Sequence, residues 1–281
     1  MISKSHFLEN IHEVSTVLKK EKAVIIEDNE LLACGDLHGD LQSLNYAFKL
    51  RDELGIKKIA FLGDFIDRGS HQIEVLQSLI ERKIQEPNNV ILIRGNHEET
   101  TICSNYGFLT ELKKAKMEDL FPEIEQLFGE LPVFLHLKNY AVMAHGGIPL
   151  EKNRVVQLDE IKKIPGNIGY DHSYSMECMW NDPVEAWYSP DQLPQDPIII
   201  SPRYSLANCF TKSQVKEFTE DWGVKFLIRA HVSLPEGYKW YNDRVLSIFS
   251  SASSFYKGFN RTYAECRFDT PPIIHQNPGK T

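Results

Sequence analysis

The stretch from 59 to 69 reads Ile-Ala-Phe-Leu-Gly-Asp-Phe-Ile-Asp-Arg-Gly and contains the pattern that decides the fold. A short apolar run ends abruptly in Gly63-Asp64, as expected where a buried strand leaves a sheet and turns. The apolar runs at 31–34 and 90–93 end in the same way, and stretches of helical spacing lie between the runs, at 41–51 and 72–84. Strand, loop and helix recurring about every thirty residues are typical of β-α-β units. We therefore predict an α/β fold.

The rest of the chain extends this prediction in both directions. Further strands are expected at 140–144, 225–229 and 245–249, and helices over 6–22 and within 98–131. Residues 182–204 contain five prolines, which favours a long surface loop over a helix. Residues 269–281 are expected to form a polar C-terminal tail. We predict one domain over 1–281, with a core at about 30–262.

The composition excludes several classes of protein. A chain of 281 residues that is 42% hydrophobic and 25% charged is ordinary for a globular protein. The net charge of −8 argues against a general nucleic-acid binder, which needs a basic face. No apolar run approaches the roughly 20 residues that span a bilayer, so no membrane partner is expected. The five scattered cysteines contain no C-x-x-C and match neither a zinc ribbon nor a disulfide framework. A cytoplasmic location is predicted.

The polar residues that follow the predicted strands are of one chemical kind. Each of five strands ends in Asp, His or Asn, usually beside glycine. The carboxyl ends of strands are where sites assemble in α/β sheets. The five segments are Gly35-Asp36-Leu37-His38, Gly63-Asp64-Phe65-Ile66-Asp67-Arg68, Arg94-Gly95-Asn96-His97, His145-Gly146-Gly147 and Arg229-Ala230-His231.

These side chains suit divalent metal ions. Carboxylate, imidazole and amide oxygen together fit Mn²⁺, Fe²⁺ or Zn²⁺. The candidate contacts are too many for one tetrahedral zinc, but they fit two ions about 3.5–4 Å apart that share a carboxylate. We assign Asp36, His38 and bridging Asp64 to one ion, and Asp64, Asn96, His145 and His231 to the other. The positive charge of two divalent ions exceeds the negative charge of two carboxylates and a hydroxide. The site would therefore be positive and would attract phosphate.

The motifs taken together resemble a known family. In order, G-D-x-H-G, G-D-x-x-D-R-G, G-N-H-E, H-G-G and R-A-H are similar to the phosphoprotein phosphatase family of serine/threonine protein phosphatases, within the calcineurin-like metallophosphoesterases. Trp180-Asn181-Asp182-Pro183 is similar to the family's W-S-D-P, and Phe249-Ser250-Ser251-Ala252 to its F-S-A-P. The resemblance covers roughly residues 30–262.

The resemblance implies a metallophosphoesterase fold, a central β-sandwich flanked by helices with a dinuclear metal site at the strand ends. It also implies direct hydrolysis of phosphoserine and phosphothreonine by metal-bound hydroxide, with Mn²⁺ expected in vitro and iron or zinc as alternatives. His97 would be the general acid, paired with Asp67. Arg68 and Arg203 would bind phosphate, together with Asn96. The implied partners are phosphorylated proteins or peptides, and regulatory subunits are not indicated.

The sequence departs from the family's pattern at two places, and two other functions are alternatives to protein phosphatase activity. The family's tyrosine after S-A-P-N matches Phe255, which has no hydroxyl, and a short tail unlike that of the regulated members ends the chain. A symmetrical diadenosine tetraphosphate hydrolase uses much the same metal ligands, but Asp67-Arg68-Gly69 favours the protein phosphatase. A binding module that has lost catalysis is the third hypothesis, and the intact His97 and Asp67 argue against it.

Overall fold

A computed structural model describes residues 2–21, 24–28, 30–151, 154–162, 173–192 and 199–279. Nine α-helices lie within these ranges: α1 Lys4–Leu18, α2 Leu41–Glu53, α3 Gln72–Gln85, α4 Thr100–Cys103, α5 Phe108–Ala115, α6 Phe121–Glu130, α7 Leu158–Lys162, α8 Ser173–Trp180 and α9 Lys212–Asp221. The strands in the same ranges are β1 Val24–Ile26, β2 Glu30–Cys34, β3 Ile59–Phe61, β4 Val90–Leu92, β5 Phe134–Leu137, β6 Ala141–Ala144, β7 Leu150–Glu151, β8 Arg154–Val155, β9 Asp182–Pro183, β10 Ile199–Ile200, β11 Asn208–Phe210, β12 Phe226–Arg229, β13 Tyr238–Trp240, β14 Val245–Ile248, β15 Asn260–Arg267 and β16 Ile273–Pro278.

Two mixed sheets form a sandwich at the centre of the fold. One sheet has the order β16-β15-β2-β3-β4, and the other has the order β1-β5-β6-β12-β14-β13. Strands β2, β3 and β4 run parallel to one another, as do β6, β12 and β14. The alternation of side chains in β2 explains the layers. Leu31 and Ala33 face the second sheet, whereas Leu32 and Cys34 face the helices.

Helices cover both outer faces of the sandwich. Residues of α1, α2, α3, α5 and α6 pack on the first sheet, and residues of α8 and α9 pack on the second. This arrangement confirms the predicted α/β fold with a β-sandwich between helices. Because the parallel strands end at one edge of the sandwich, the loops after β2, β3, β4, β6 and β12 meet there. The single-domain boundaries stay a prediction.

The predicted helices differ from the observed ones at their ends. Helix α1 begins at Lys4 and ends at Leu18, rather than covering 6–22. Its buried face stops at Leu18, since only polar residues follow at 19–22. The 98–131 region is helical in pieces, with α4, α5 and α6 separated by turns.

The expectations for two proline-containing stretches were partly wrong. The predicted surface loop at 182–204 begins with buried Asp182, whose strand β9 pairs with β11, and residues 193–198 lie outside the described residues. Within the predicted tail at 269–281, strand β16 pairs with β15 from Asn260 opposite Pro278 to Glu265 opposite Ile273. Proline is compatible with such an edge strand. The composition of β16 is largely polar, in keeping with a strand of which no residue is fully buried.

Among the described residues, no helix combines the length and the hydropathy needed to cross a bilayer.

Candidate metal centre

The first group of predicted ligands converges at the ends of β2 and β3. His38 Nε2 lies 3.6 Å from Asp36 Oδ2 and 3.5 Å from Asp64 Oδ2. All three side chains are at least 97% buried. Separations of this size between donor atoms are those of ligands around one ion, given metal–ligand bonds of about 2.0–2.2 Å.

The second group converges on the other oxygen of the same carboxylate. His145 Nε2 lies 3.3 Å from Asp64 Oδ1 and 3.0 Å from Asn96 Oδ1. His231 Nδ1 lies 2.8 Å from Asn96 Oδ1 and 3.1 Å from His145 Nε2. Asp64 therefore presents Oδ2 to one group and Oδ1 to the other, which is the geometry that a bridging carboxylate requires.

Backbone carbonyls orient two of the imidazoles. His38 Nδ1 lies 2.8 Å from the carbonyl oxygen of Ile66, and His145 Nδ1 lies 2.7 Å from that of Leu62. Since a carbonyl only accepts hydrogen bonds, both Nδ1 atoms carry the proton and both Nε2 lone pairs face the site. This arrangement of a second ring nitrogen is typical of histidines that bind metal ions.

The electrostatics of the site also fit cations. Burial, and then the neighbouring Asp64, raise the pKa of Asp36 to about 6. Burial lowers the pKa of His38 to about 3 and that of His231 well below its usual range, which favours neutral imidazole. Burial opposes protonation of His145, but the neighbouring Asp64 outweighs burial and raises its pKa. A divalent ion can take the place of protons among Asp64 Oδ1, Asn96 Oδ1, His145 Nε2 and His231 Nδ1, so the residues present fit a metal.

Backbone strain concentrates at the predicted site. Among the described residues, seven non-glycine residues have a positive φ, and five of them are predicted site residues. The left-handed region is unfavourable for side chains with a Cβ and is often kept only at functional sites. The five are His38, Asp64, Asp67, Arg68 and His231.

A close approach of two loops explains one of the glycines in the motifs. Gly63 has a φ of 94°, and a Cβ on it would overlap the backbone of Gly95. The loops after β3 and β4 can therefore pack against each other only with glycine at this position.

His97 and Asp67 form a buried pair beside the first ligand group. His97 Nδ1 lies 2.6 Å from Asp67 Oδ2, and Asp67 Oδ1 accepts a hydrogen bond of 3.0 Å from the backbone of Phe108. His97 Nε2 lies 4.0 Å from Asp64 Oδ2. Burial opposes protonation of His97, but Asp64 and Asp67 outweigh burial and raise its pKa. The imidazole can therefore hold a proton next to the ligand groups.

Two arginines reach the same site from different elements. The guanidinium of Arg68 lies between the rings of Tyr106 and Phe255, at 4.5 and 4.9 Å from their centres. Arg203 Nη1 donates a 3.0 Å hydrogen bond to the carbonyl oxygen of His231. Within the described part of the chain, neither arginine pairs with a carboxylate, and Arg68 Nε is buried without a hydrogen-bond partner. Unpaired guanidinium groups are suited to bind an anion.

Glu98 has a role that its sequence position did not reveal. Its carboxylate accepts three backbone hydrogen bonds, from Asp64 at 2.8 Å, Phe65 at 2.8 Å and Gly95 at 2.9 Å. Burial, and then Asp64, raise its pKa to about 7. The buried Arg94 donates to the carbonyl oxygen of Glu98 at 3.1 Å, which braces the loop from its other side. Glu98 thus fastens the loop of the bridging Asp64 to the loop of Asn96.

Of the adjacent Phe255 and Tyr256, Tyr256 is the one whose ring contacts a predicted ligand. Its ring stacks on His38 with a centroid distance of 5.5 Å, whereas Phe255 contacts Arg68. Burial, and then the neighbouring Asp36, raise the pKa of Tyr256, whereas Arg68 and Arg203 act to lower it. The departure inferred at Phe255 therefore does not deprive the site of a tyrosine.

All the predicted site residues lie at this one edge of the sandwich.

Comparison with known proteins finds several that are similar to this chain. A serine/threonine-protein phosphatase from Caenorhabditis elegans is 27% identical to this chain over 263 residues, which are 92% of this chain and 55% of that protein. This chain thus spans about half the length of that relative.

Solved structures share the fold at low sequence identity. A protein serine/threonine phosphatase from Saccharomyces cerevisiae superposes with a TM-score of 0.84 at 24% identity, covering 100% of this chain and 91% of that one. A cold-active protein-tyrosine phosphatase of a Shewanella species has a TM-score of 0.59 at 14% identity, covering 94% and 84%. A putative diadenosine tetraphosphatase has a TM-score of 0.51 at 15% identity, covering 92% and 98%.

A sequence model of the calcineurin-like phosphoesterases matches residues 30–235, which include every predicted metal ligand and both members of the His97–Asp67 pair. Since that match covers well over half of the chain and carries the whole ligand set, this protein belongs to the calcineurin-like phosphoesterase family.

Proposed function

We propose that this protein is a metal-dependent serine/threonine protein phosphatase that hydrolyses phosphoserine and phosphothreonine monoesters. The observation that carries the proposal is the position of the His97–Asp67 pair and of two arginines, which pair with no carboxylate among the described residues, around two ligand groups that share Asp64. The C. elegans relative, itself named a serine/threonine-protein phosphatase, supports the same substrate class.

The ligand groups would hold two divalent ions. Asp36, His38 and Asp64 would bind one, and Asp64, Asn96, His145 and His231 the other. Bound there, the ions would stabilise the charge of the phosphoryl group and lower the pKa of a water molecule. We propose Mn²⁺ as the ion that supports activity in vitro, with iron or zinc as alternatives, because this donor set suits all three.

His97 would protonate the departing oxygen of the substrate. A serine or threonine alkoxide is a poor leaving group, so a positioned acid accelerates its departure. His97 Nε2 is free to donate because Nδ1 is engaged by Asp67 at 2.6 Å. Asp67 also favours the protonated ring, which is the form that has a proton to give.

Arg68 and Arg203 would bind the phosphate oxygens, and Asn96, whose Oδ1 belongs to the second ligand group, would assist through its amide nitrogen. Planar guanidinium groups match the tetrahedral oxyanion with two parallel hydrogen bonds each. The two aromatic rings that enclose Arg68 would keep its guanidinium in place for this contact. Phosphorylated proteins or peptides would be the substrates.

We also propose a cytoplasmic location for this chain. All five cysteines are buried and unpaired, as is usual for proteins of a reducing compartment.

The proposal is tested by comparing two substrates. Initial rates of metal-stripped protein are measured with added Mn²⁺ on a phosphothreonine peptide and on diadenosine tetraphosphate. We expect turnover of the peptide that requires metal and exceeds turnover of the dinucleotide at least tenfold. Preference for the dinucleotide would move the enzyme to nucleotide hydrolysis, and no turnover of either substrate would indicate a binding module.

A further inference from the structure

We propose that Trp187 is a positioning residue for Arg203, and that it connects this arginine to a buried ion pair in the central sandwich. The inference rests on the proposed function, in which Arg203 binds the phosphate of the substrate. None of the family motifs includes Trp187, which lies in the stretch expected to be a surface loop.

The network begins at an ion pair that is fully buried. Arg229 Nη2 donates to Asp182 Oδ1 at 2.7 Å, and both side chains have 0% exposure. The same guanidinium donates to the carbonyl oxygen of Gly146 and, at 3.1 Å, to Ser247 Oγ. Arg229 thereby ties Asp182 to the second sheet, next to the loop of His145. Since a buried pair with several hydrogen bonds is costly to break, Asp182 is a fixed point.

Trp187 is held by the second oxygen of Asp182. Its indole Nε1 donates a 2.9 Å hydrogen bond to Asp182 Oδ2. The side chain is nevertheless 39% exposed, so packing alone does not explain its orientation. Because the Asp182 carboxylate is itself fixed, its hydrogen bond sets the orientation of the Trp187 ring.

The ring of Trp187 in turn faces Arg203. The guanidinium carbon of Arg203 lies 5.7 Å from the centre of the Trp187 ring, within the range of a cation–π contact. In the described part of the chain, the other contact of this guanidinium is the hydrogen bond to the carbonyl oxygen of His231. Arg203 is exposed and has no ion-pair partner in that part. Removal of Trp187 would leave a single contact to orient the guanidinium.

Arg68 provides an internal contrast. Two rings, those of Tyr106 and Phe255, enclose its guanidinium, so Arg68 does not depend on Trp187. Loss of Trp187 should therefore weaken one phosphate contact and leave the other. Immobilising a long side chain on binding lowers the affinity. A side chain that is already oriented before binding avoids much of this loss. We expect a loss of about threefold to tenfold in phosphate affinity.

The test measures the affinity of the Mn²⁺-loaded protein for inorganic phosphate by calorimetry, a readout that does not depend on turnover. The variants are Trp187→Leu, Trp187→Phe, Arg203→Ala and the double variant Trp187→Leu/Arg203→Ala. Trp240→Leu, at a partly buried tryptophan of β13, is the matched control. KM and kcat on a phosphothreonine peptide, metal content and Tm are recorded for each variant.

We expect Trp187→Leu to raise both the phosphate Kd and KM about threefold to tenfold, with metal content unchanged. Trp187→Phe keeps a ring but lacks the N–H, so it should fall between wild type and Trp187→Leu. In the Arg203→Ala background, Trp187→Leu should have no further effect, since the tryptophan acts through the arginine. Trp240→Leu should leave the phosphate Kd unchanged.

Each other outcome has a distinct meaning. An equal effect of Trp187→Leu with and without Arg203 would show that Trp187 acts independently of Arg203, and would overturn the inference. A normal Kd in Trp187→Leu, together with a raised Kd in Arg203→Ala, would also overturn it while leaving the proposed function intact. A normal Kd in Arg203→Ala would instead refute the phosphate role assigned to Arg203. If the phosphate Kd values change as predicted but the wild-type protein does not hydrolyse the peptide, the proposed function is refuted and the inference about Trp187 stands.

Discussion

Asp64 is the residue on which the two ligand groups depend. Its two oxygens lie 3.5 Å from His38 Nε2 and 3.3 Å from His145 Nε2, so a neutral amide in its place would present only one oxygen. We predict that Asp64→Asn loses metal and at least about a hundredfold in rate. Metal content by mass spectrometry and peptide turnover check this result. Asp119→Asn, at an exposed carboxylate, is the control, and two bound ions in Asp64→Asn would contradict the bridging role.

His97 is distinguished from the ligands by what its loss should leave intact. Its Nδ1 is engaged by Asp67, so removal of the ring does not open either ligand group. We predict that His97→Asn lowers kcat on a phosphothreonine peptide by about a hundredfold or more while metal content stays normal.

The leaving group supplies the control for this second prediction. An aryl phosphate releases a stable aryloxide and needs little help from an acid, so its hydrolysis should suffer less than that of the peptide. His12→Asn, at an exposed histidine of α1, should affect neither substrate. Equal losses on the peptide and the aryl phosphate in His97→Asn would remove the general-acid role.

At the scale of elements, the site depends on how loops are fastened to one another. Two hydrogen bonds of Glu98 join the loops after β3 and β4, and a third, from Gly95, holds the carboxylate within its own loop. We predict that Glu98→Gln, which replaces one acceptor oxygen with a donor, lowers metal affinity about tenfold and lowers Tm. A metal titration checks this, with Glu99→Gln as the control because Glu99 makes, among the described residues, one side-chain hydrogen bond, to Trp180. Unchanged affinity in Glu98→Gln would show that the loops keep their positions without the carboxylate.

The edge strand β16 is the second element whose role can be tested. It pairs along the length of β15, whose residues from Arg261 to Cys266 are buried. A variant that ends at Phe268 would expose this strand, so we predict a Tm lower by about 5–10 °C and a tendency to aggregate. Thermal unfolding and light scattering measure both effects. A variant that ends at Gly279 keeps β16 and is the control, and equal Tm values would contradict a structural role for the strand.

For the whole molecule, the sequence predicted the sandwich edge better than its periphery. Gly35-Asp36, Gly63-Asp64 and Gly95-Asn96 each follow an apolar run, and a run that ends in a turn and a polar ligand is visible without tertiary information. Strand β16 escaped prediction because an edge strand without a fully buried residue has no clear apolar alternation. The buried start of the 182–204 stretch was hidden because the partners of Asp182, Arg229 and strand β11, are distant in sequence.

The roles of Glu98 and Tyr256 show the same limit within the site. Glu98 acts by bonding to residues of another loop, a contact that no local pattern records. Tyr256 adjoins Phe255 in sequence, and only the path of the loop decides which of the two rings stacks on His38. The residue types of the site were thus readable from spacing, whereas contacts between loops required the fold.

The most direct test of this account is a metal titration that records binding and turnover together. The protein is stripped of metal, Mn²⁺ is added in measured equivalents, and bound metal and the initial rate on a phosphothreonine peptide are followed at each step. We predict no turnover in the stripped protein, and activity that appears as the second equivalent binds. Full turnover without metal, or full activity at one equivalent, would contradict a site built from two ligand groups that share Asp64.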